Sequence, residues 1–213
     1  MSSIIIDSWW ATAAANETFL VIPDGCRDLI LKILPGQKPH WFISPLQSRT
    51  NFLCSQAGVY SEGYRLQPGT VIDEHALTCA LNHQQHNEAD VAALIAQYCH
   101  RPPAVSEILQ ALACETGSVA KAAAQLGVQT RTLQRQLLKL TGTSPNFWLM
   151  LARARKAARM LTQPLTLSEI AYLQGFSDQP HMCREFVRWF NISPAKLNPD
   201  TAQFVQLQHS GYS

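Results

Sequence analysis

The sequence predicts an α+β chain: a small, mainly β N-terminal domain, then an all-α domain with two helix-turn-helix units joined by a long linker helix. Three observations predict it. Short runs rich in β-branched and aromatic residues, broken by proline-glycine turns, fill the first 80 residues. From about Glu88 the apolar residues fall at helical spacing instead. The helical half also contains an internal repeat.

The candidate strands are residues 4–6, 19–22, 28–34 and 41–43, punctuated by Pro23-Asp24-Gly25, Pro35-Gly36 and Pro68-Gly69. Val91, Leu94, Ile95 and Tyr98 mark a helix that Pro102-Pro103 stops. A second helix is expected from Val105 to Cys114, and the remainder breaks at Gly127, Gly142, Pro164, Gly175 and Asn191. The division that follows is a β domain over 1–85, a helical linker over 86–104, an all-α domain over 105–200 and a tail over 201–213. Within the third part the expected pieces are a first helix-turn-helix at 117–141, a linker helix at 145–161 and a second helix-turn-helix at 166–191.

The repeat carries the functional expectation. Residues 119–145 and 167–194 share an alanine four residues before a glycine (Ala123 and Gly127, Ala171 and Gly175). Each glycine precedes an apolar residue, Val128 or Phe176. An amphipathic stretch follows, with Leu133, Leu137 and Leu140 in one copy and Met182, Phe186 and Trp189 in the other. Both copies close on Ser-Pro, at 144–145 and 193–194, and the second is one residue longer between glycine and Ser-Pro. A small alanine lets two helices cross closely, and the glycine supplies the positive φ of a tight turn. The apolar residue after it plugs the small core, and the next helix keeps one face free for a major groove. Ser144 is a candidate N-cap with Pro145 in the first helical position.

Charge agrees with a polyanionic partner. Of 213 residues, 46% are hydrophobic and 15% charged, and the net charge of +2 is unevenly spread. Residues 1–104 hold six Lys/Arg and nine Asp/Glu, whereas 105–213 hold eleven and six. Eight basic residues and no acidic one lie between Lys121 and Arg159.

Residues 105–200 resemble the DNA-binding domain of the AraC/XylS family of bacterial regulators. The resemblance rests on Ile170-Ala171, Gly175-Phe176, Asp178, Arg184, Phe186 and Ser193-Pro194, with Pro180 and Asn191 as departures from the family pattern. Pro180 fits the first turn of a helix, where a missing N–H is tolerated, and Asn191 suits a left-handed C-cap. Residues 23–30 and 63–69 resemble the short β domain that precedes this DNA-binding domain in one subgroup. The resemblance implies a cytoplasmic, sequence-specific transcription regulator of double-stranded DNA that is not an enzyme. RNA polymerase is an implied partner. No cofactor and no membrane association is expected.

By helical phase and by resemblance, base contacts are expected from Arg131, Gln134 and Arg135 on a first recognition helix at about 130–140. On a second, at about 178–190, Gln179, His181, Cys183 and Arg184 are expected to face the groove. Arginine pairs with guanine and glutamine with adenine through two hydrogen bonds each. Phosphate contacts are expected from Lys121, Thr132, Lys139, Arg153, Arg155, Arg188 and Lys196, with internal salt bridges as the alternative for some of Arg153, Arg155, Lys156 and Arg159 on the linker helix.

Other functions find less support. The six cysteines form no CxxC pair, and the zinc-dependent, cysteine-based DNA-repair enzymes that carry a similar domain use closely spaced cysteines. Cys26, Cys54 and Cys79 are expected to be buried small hydrophobes. His75, His83 and His86 fall in a polar stretch read as a solvated linker. The aromatic residues Trp9, Trp10, Phe19, Trp41, Phe42 and Tyr60 leave two readings open: an ordinary core, or a pocket for a small effector. Homodimerisation through the first domain stays open too.

Overall fold

Apolar runs of the N-terminal part hydrogen-bond into an antiparallel sheet of order β1 (Ile5–Thr12), β6 (Tyr60–Leu66), β3 (Arg27–Ile33), β4 (His40–Ile43). β2 (Glu17–Val21) pairs with β5 (Asn51–Ser55) as a separate ribbon, and β7 (Val71–Ile72) pairs with β8 (Cys99–His100). The computed structural model describes residues 4–83, 86–114, 117–209 and 211–213. Two helices follow β7: α1 (Glu74–Asn82) and α2 (Glu88–Tyr98). Asp73 caps α1 by accepting from Ala76 N, and Asn87 with Asp90 forms a capping box on α2. Leu29, Trp41, Tyr64 and Leu66 of the sheet pack with Leu77 and Leu81 of α1, Val91 and Ile95 of α2, and Cys99. The register places Leu29 opposite both Tyr64 and Ile43, so one face of the sheet carries the core.

These elements make one unit, Met1–Phe19, Cys26–Leu46 and Phe52–Pro102. The other comprises Leu20–Gly25, Gln47–Asn51 and Pro103–Ser213. It contains α3 (Pro103–Cys114), α4 (Val119–Gln125), α5 (Thr130–Thr141), α6 (Pro145–Met160), α7 (Leu167–Leu173), α8 (Gln179–Phe190), a 3-10 turn at Pro194–Lys196 and α9 (Ala202–Gln208). α6 is its axis. Trp148, Leu149, Leu151, Ala154, Ala157 and Ala158 are all buried, so the helix is enclosed on most of its sides.

The α+β class and the order of the two parts agree with the sequence, but several details differ. The expected helical linker over 86–104 does hold a helix, α2, but its Val91 and Ile95 belong to the sheet unit's core. The stretch read as a solvated linker around His75 and His83 holds α1, anchored by Leu77 and Leu81 at (i, i+4) spacing. The 85/86 boundary touches residues 84–85, which lie outside the described residues. The expected tail over 201–213 contains α9, with Phe204, Leu207 and Tyr212 buried and the Tyr212 hydroxyl donating to Leu109 O at 2.7 Å. Cys26 is buried, but Cys54 and Cys79 are exposed, because one sits on the ribbon and the other on the outer side of α1. Of the six aromatic residues weighed as core or pocket, Trp41 is buried, whereas Trp9, Trp10 and Phe19 are exposed.

Candidate nucleic-acid interface

The two copies of the repeat fold with the same hydrogen bonds. Leu126 N donates to Ala122 O, Gly127 N to Ala124 O and Val128 N to Ala123 O. Gln174 N donates to Ile170 O, Gly175 N to Tyr172 O and Phe176 N to Ala171 O, the same three bonds 48 residues later. Gly127 has φ +67° and Gly175 φ +70°. A Cβ on Gly127 would meet nothing within 4 Å, so backbone conformation alone demands glycine there. Ala123 and Ala171 are both buried where the helices cross. Phe176 plugs its small core, but the shorter Val128 is left partly exposed.

Each second helix ends alike, on a left-handed residue: Gly142 after α5 and Asn191, φ 55°, after α8. The extra residue of the second copy lies in the turn before α8. There Asp178 accepts from His181 N, a side-chain cap that α5 lacks. Pro180 sits in the first turn of α8, where its missing N–H leaves no helical bond unmade. Ser144 caps α6 by accepting from Phe147 N, with Pro145 first in the helix. On α7, Thr166 and Glu169 form a capping box, and the Thr166 backbone N–H and hydroxyl hold the Glu169 carboxyl below its usual range.

α5 buries Leu133 and Leu137 and half-buries Leu140. Its opposite face exposes Arg131, Gln134, Arg135 and Lys139, with Thr132 half-buried. Among the described residues, Arg131, Gln134 and Arg135 have no hydrogen-bond or ion-pair partner. With Lys121 of α4, they make an exposed cationic surface.

α8 buries Met182, Phe186, Trp189 and Phe190. Aligned from their first residues, Arg131, Gln134 and Arg135 of α5 correspond to Pro180, Cys183 and Arg184 of α8. Arg184 is exposed. The other expected groove-facing residues are half-buried, and two are engaged within the protein. Gln179 Oε1 accepts from Ser168 Oγ at 2.9 Å. His181 Nδ1 lies 3.0 Å from Ser177 Oγ, and its ring meets Phe176 edge-on. Arg188 pairs with Glu185 at 3.2 Å and lies over the Trp189 ring. Lys196 is exposed beyond α8.

Two expected phosphate ligands are misplaced. Arg153 is 7% exposed and Arg155 fully buried, because both lie on enclosed sides of α6. Arg155 donates to Pro23 O at 3.3 Å and to His209 O at 2.8 Å. Lys156 donates to Ala113 O, and Arg159 to Ser213 O and His209 O. Burial pulls the Arg159 guanidinium below its ordinary range. Of the eight basic residues between 121 and 159, Lys121, Arg131, Arg135 and Lys139 face water, whereas on α6 Arg153 and Arg155 are buried and Lys156 and Arg159 half-buried.

A helix-turn-helix domain model matches residues 122–198, from within α4 to just past the 3-10 turn. Over 85 residues the chain is 38% identical to the HTH-type transcriptional activator RhaS of Escherichia coli O139:H28 (strain E24377A / ETEC). The helical unit carries a helix-turn-helix domain similar in sequence to that of this transcriptional activator. The RhaS match covers 39% of this chain and 31% of the activator, so the chain spans under a third of that relative's length. Solved structures that resemble part of the chain include the DNA-binding domain of AdpA in complex with a target DNA. It is 30% identical, covers 44% of this chain and 86% of that one, and has a TM-score of 0.39. Another is a regulator with an AraC-type DNA-binding domain from Chromobacterium violaceum, at 25% identity, 51% and 96% coverage and a TM-score of 0.41.

Among the described residues no group of three His, Cys, Asp or Glu side chains is arranged to hold a metal ion. No described helix is long and apolar enough to cross a membrane.

Proposed function

We propose that the chain is a sequence-specific transcription regulator that grips two successive major-groove segments unequally, with α5 as the reader and α8 as the weaker second head. The observation that carries this is the matched pair of helix-turn-helix units, of which only α5 has three unengaged polar side chains near its start. Arg131, Gln134 and Arg135 would contact base edges. On α8, Arg184 would do so alone, with Gln179, His181 and Cys183 shaping the groove contact. Lys121, Thr132, Lys139, Arg188 and Lys196 would contact phosphates, aided by helix N-termini. A regulator of this kind would act on RNA polymerase.

The test is selection from a random DNA library by the full chain across a salt series. A bipartite motif with half-sites about one helical turn apart, and affinity falling steeply with salt, supports the proposal. Arg135→Ala should cost about 1–3 kcal/mol at one half-site and relax its sequence. Arg184→Ala should relax the other half-site by less. Equal information in both half-sites would sink the unequal reading, and absence of any enriched motif would sink sequence-specific binding.

A further inference from the structure

The face of the sheet that carries the core also carries a carboxylate with no counter-ion. Tyr60, Glu62 and Tyr64 of β6 alternate onto that face, which Leu29 and Trp41 share. Both phenols turn to the acid between them. Tyr60 donates to Glu62 Oε2 at 3.0 Å, and Tyr64 donates to Glu62 Oε1 at 2.6 Å. Glu62 is half-buried, and among the described residues it has no ion-pair partner.

A charge withdrawn from water normally has an opposite charge beside it. Two neutral donors orient this one without cancelling it. Burial, reinforced by the bond to Glu62, raises both phenols above their ordinary range, so they stay neutral donors at physiological pH. Glu88, exposed in the first turn of α2, adds a second negative charge that acts on Tyr64.

An uncovered aromatic ring stands next to this carboxylate. In the β1–β6 register Trp10 is the direct partner of Glu62, so both side chains leave the same face with Cβ atoms about 4.5–5.5 Å apart. Trp10 is nevertheless 74% exposed. Its same-face neighbours on β1, Ser8 and Thr12, are small, polar and exposed, so nothing bulky flanks the indole along the strand. Trp9 differs: it lies on the opposite face over Gly63, where a Cβ would stand 2.2 Å from its ring.

We infer that Trp10, Tyr60, Glu62 and Tyr64 form a site for a small organic ammonium ion, held at the Glu62 carboxylate with its alkyl groups against the Trp10 indole. The carboxylate supplies the opposite charge, and the negative faces of the aromatic rings attract a cation that sheds its water easily. An anion would meet the charges of Glu62 and Glu88, and a neutral apolar molecule would leave the carboxylate uncompensated. A hard metal ion takes about six or more oxygen ligands, which one carboxylate already engaged by two phenols does not offer, whereas an ammonium ion needs no such shell. The two readings of the N-terminal aromatic residues then both hold: Trp41 serves the core, and Trp10 with Tyr60 serves the ligand.

The test is saturation-transfer NMR on the methyl signal of tetramethylammonium chloride, titrated into the full chain without DNA at constant total chloride. The neutral isostere tert-butanol is the control. The expected result is saturable binding of tetramethylammonium with a dissociation constant of about 1–10 mM, and none of tert-butanol. Trp10→Ala and Glu62→Gln should each weaken binding about fivefold or more. Trp10→Ala removes a mostly exposed side chain and should keep the wild-type circular dichroism and melting temperature, so it decides the matter alone if Glu62→Gln does not fold. No saturable signal up to about 50 mM probe, equal binding of tert-butanol, or unchanged affinity in either folded variant would each overturn the inference. Failure here leaves the DNA-binding proposal untouched, since no DNA is present.

Discussion

Replacing Arg155 by methionine separates two roles that a basic residue on a DNA-binding domain can have. In the structure its guanidinium is fully buried and donates to Pro23 O and His209 O. A hydrogen bond involving a charged group contributes about 1.5–3 kcal/mol, so losing two costs about 3–6 kcal/mol. Relief from burying the charge and the fit of an unbranched apolar chain offset part of this, leaving about 3 kcal/mol. In a chain of this size that lowers the melting temperature by roughly 6–12 °C. Calorimetry or circular dichroism measures the shift, and DNA titrations across a salt series measure the second role. A phosphate ligand would leave stability unchanged and reduce the salt slope by about one. The structural role predicts the reverse: a lower melting temperature and an unchanged slope for the folded protein. A variant that melts within about 2 °C of wild type and loses one unit of slope would refute the buried placement.

Gly25 and Gly127 both have positive φ but differ in surroundings. A Cβ on Gly25 would lie 2.6 Å from Tyr212 Cβ and 3.1 Å from the Trp148 ring, whereas one on Gly127 meets nothing. Gly25→Ala should therefore cost about 3–5 kcal/mol in denaturant melts against roughly 1–2 kcal/mol for Gly127→Ala, and equal costs would contradict this packing. In native protein at pH 8, a thiol reagent should label the exposed Cys54, Cys79 and Cys114 quickly and leave Cys99 silent until unfolding. Burial pushes the Cys99 thiol up to about 11 from 9.0, so its contribution to stability is complete below pH 9 and fades as pH rises towards 11. Cys99→Val should remove that part of the alkaline loss, which melts at pH 8 and pH 10.5 would detect. Residues 103–213 alone lack Pro23, Asp24, Gly25 and Thr50. That fragment should melt well below the helical unit of the full chain, and equal melting temperatures would count against their structural role.

The helix-turn-helix units were readable because their determinants are local. A glycine forced to positive φ, an alanine at a crossing and a Ser-Pro start each leave a residue-type mark at fixed spacing. α1 was readable in principle from Asp73, Leu77 and Leu81, but His75, Asn82 and the polar residues after it gave the stretch the composition of a linker. The fate of the basic residues on α6 was not local. Whether Arg155 meets water or a carbonyl depends on Pro23 and His209, which approach it from 132 residues upstream and 54 downstream. The same holds for Thr50, whose N–H and hydroxyl both donate to Trp189 O. Helical phase in α6 could not find these partners, because a helix enclosed on most of its sides has little outer face for a charge pattern to mark.

The inequality proposed for the two heads traces to one inserted residue. In the first copy the turn after Gly127 reaches α5 without a side-chain cap, and the first turn of α5 presents Arg131 and unbonded backbone N–H groups. The longer turn after Gly175 makes room for Asp178, which takes the His181 N–H at the start of α8. Ser168 and Ser177 then engage Gln179 and His181. The cap and these contacts stabilise α8, but they occupy donors and acceptors that a groove-reading helix would otherwise present. They also set a carboxylate at the helix end where a phosphate would be attracted. Pro180 and Cys183 complete the exchange by standing where α5 has Arg131 and Gln134. On this account α8 is capped and reads little, whereas α5 starts without a side-chain cap and keeps its polar face for DNA.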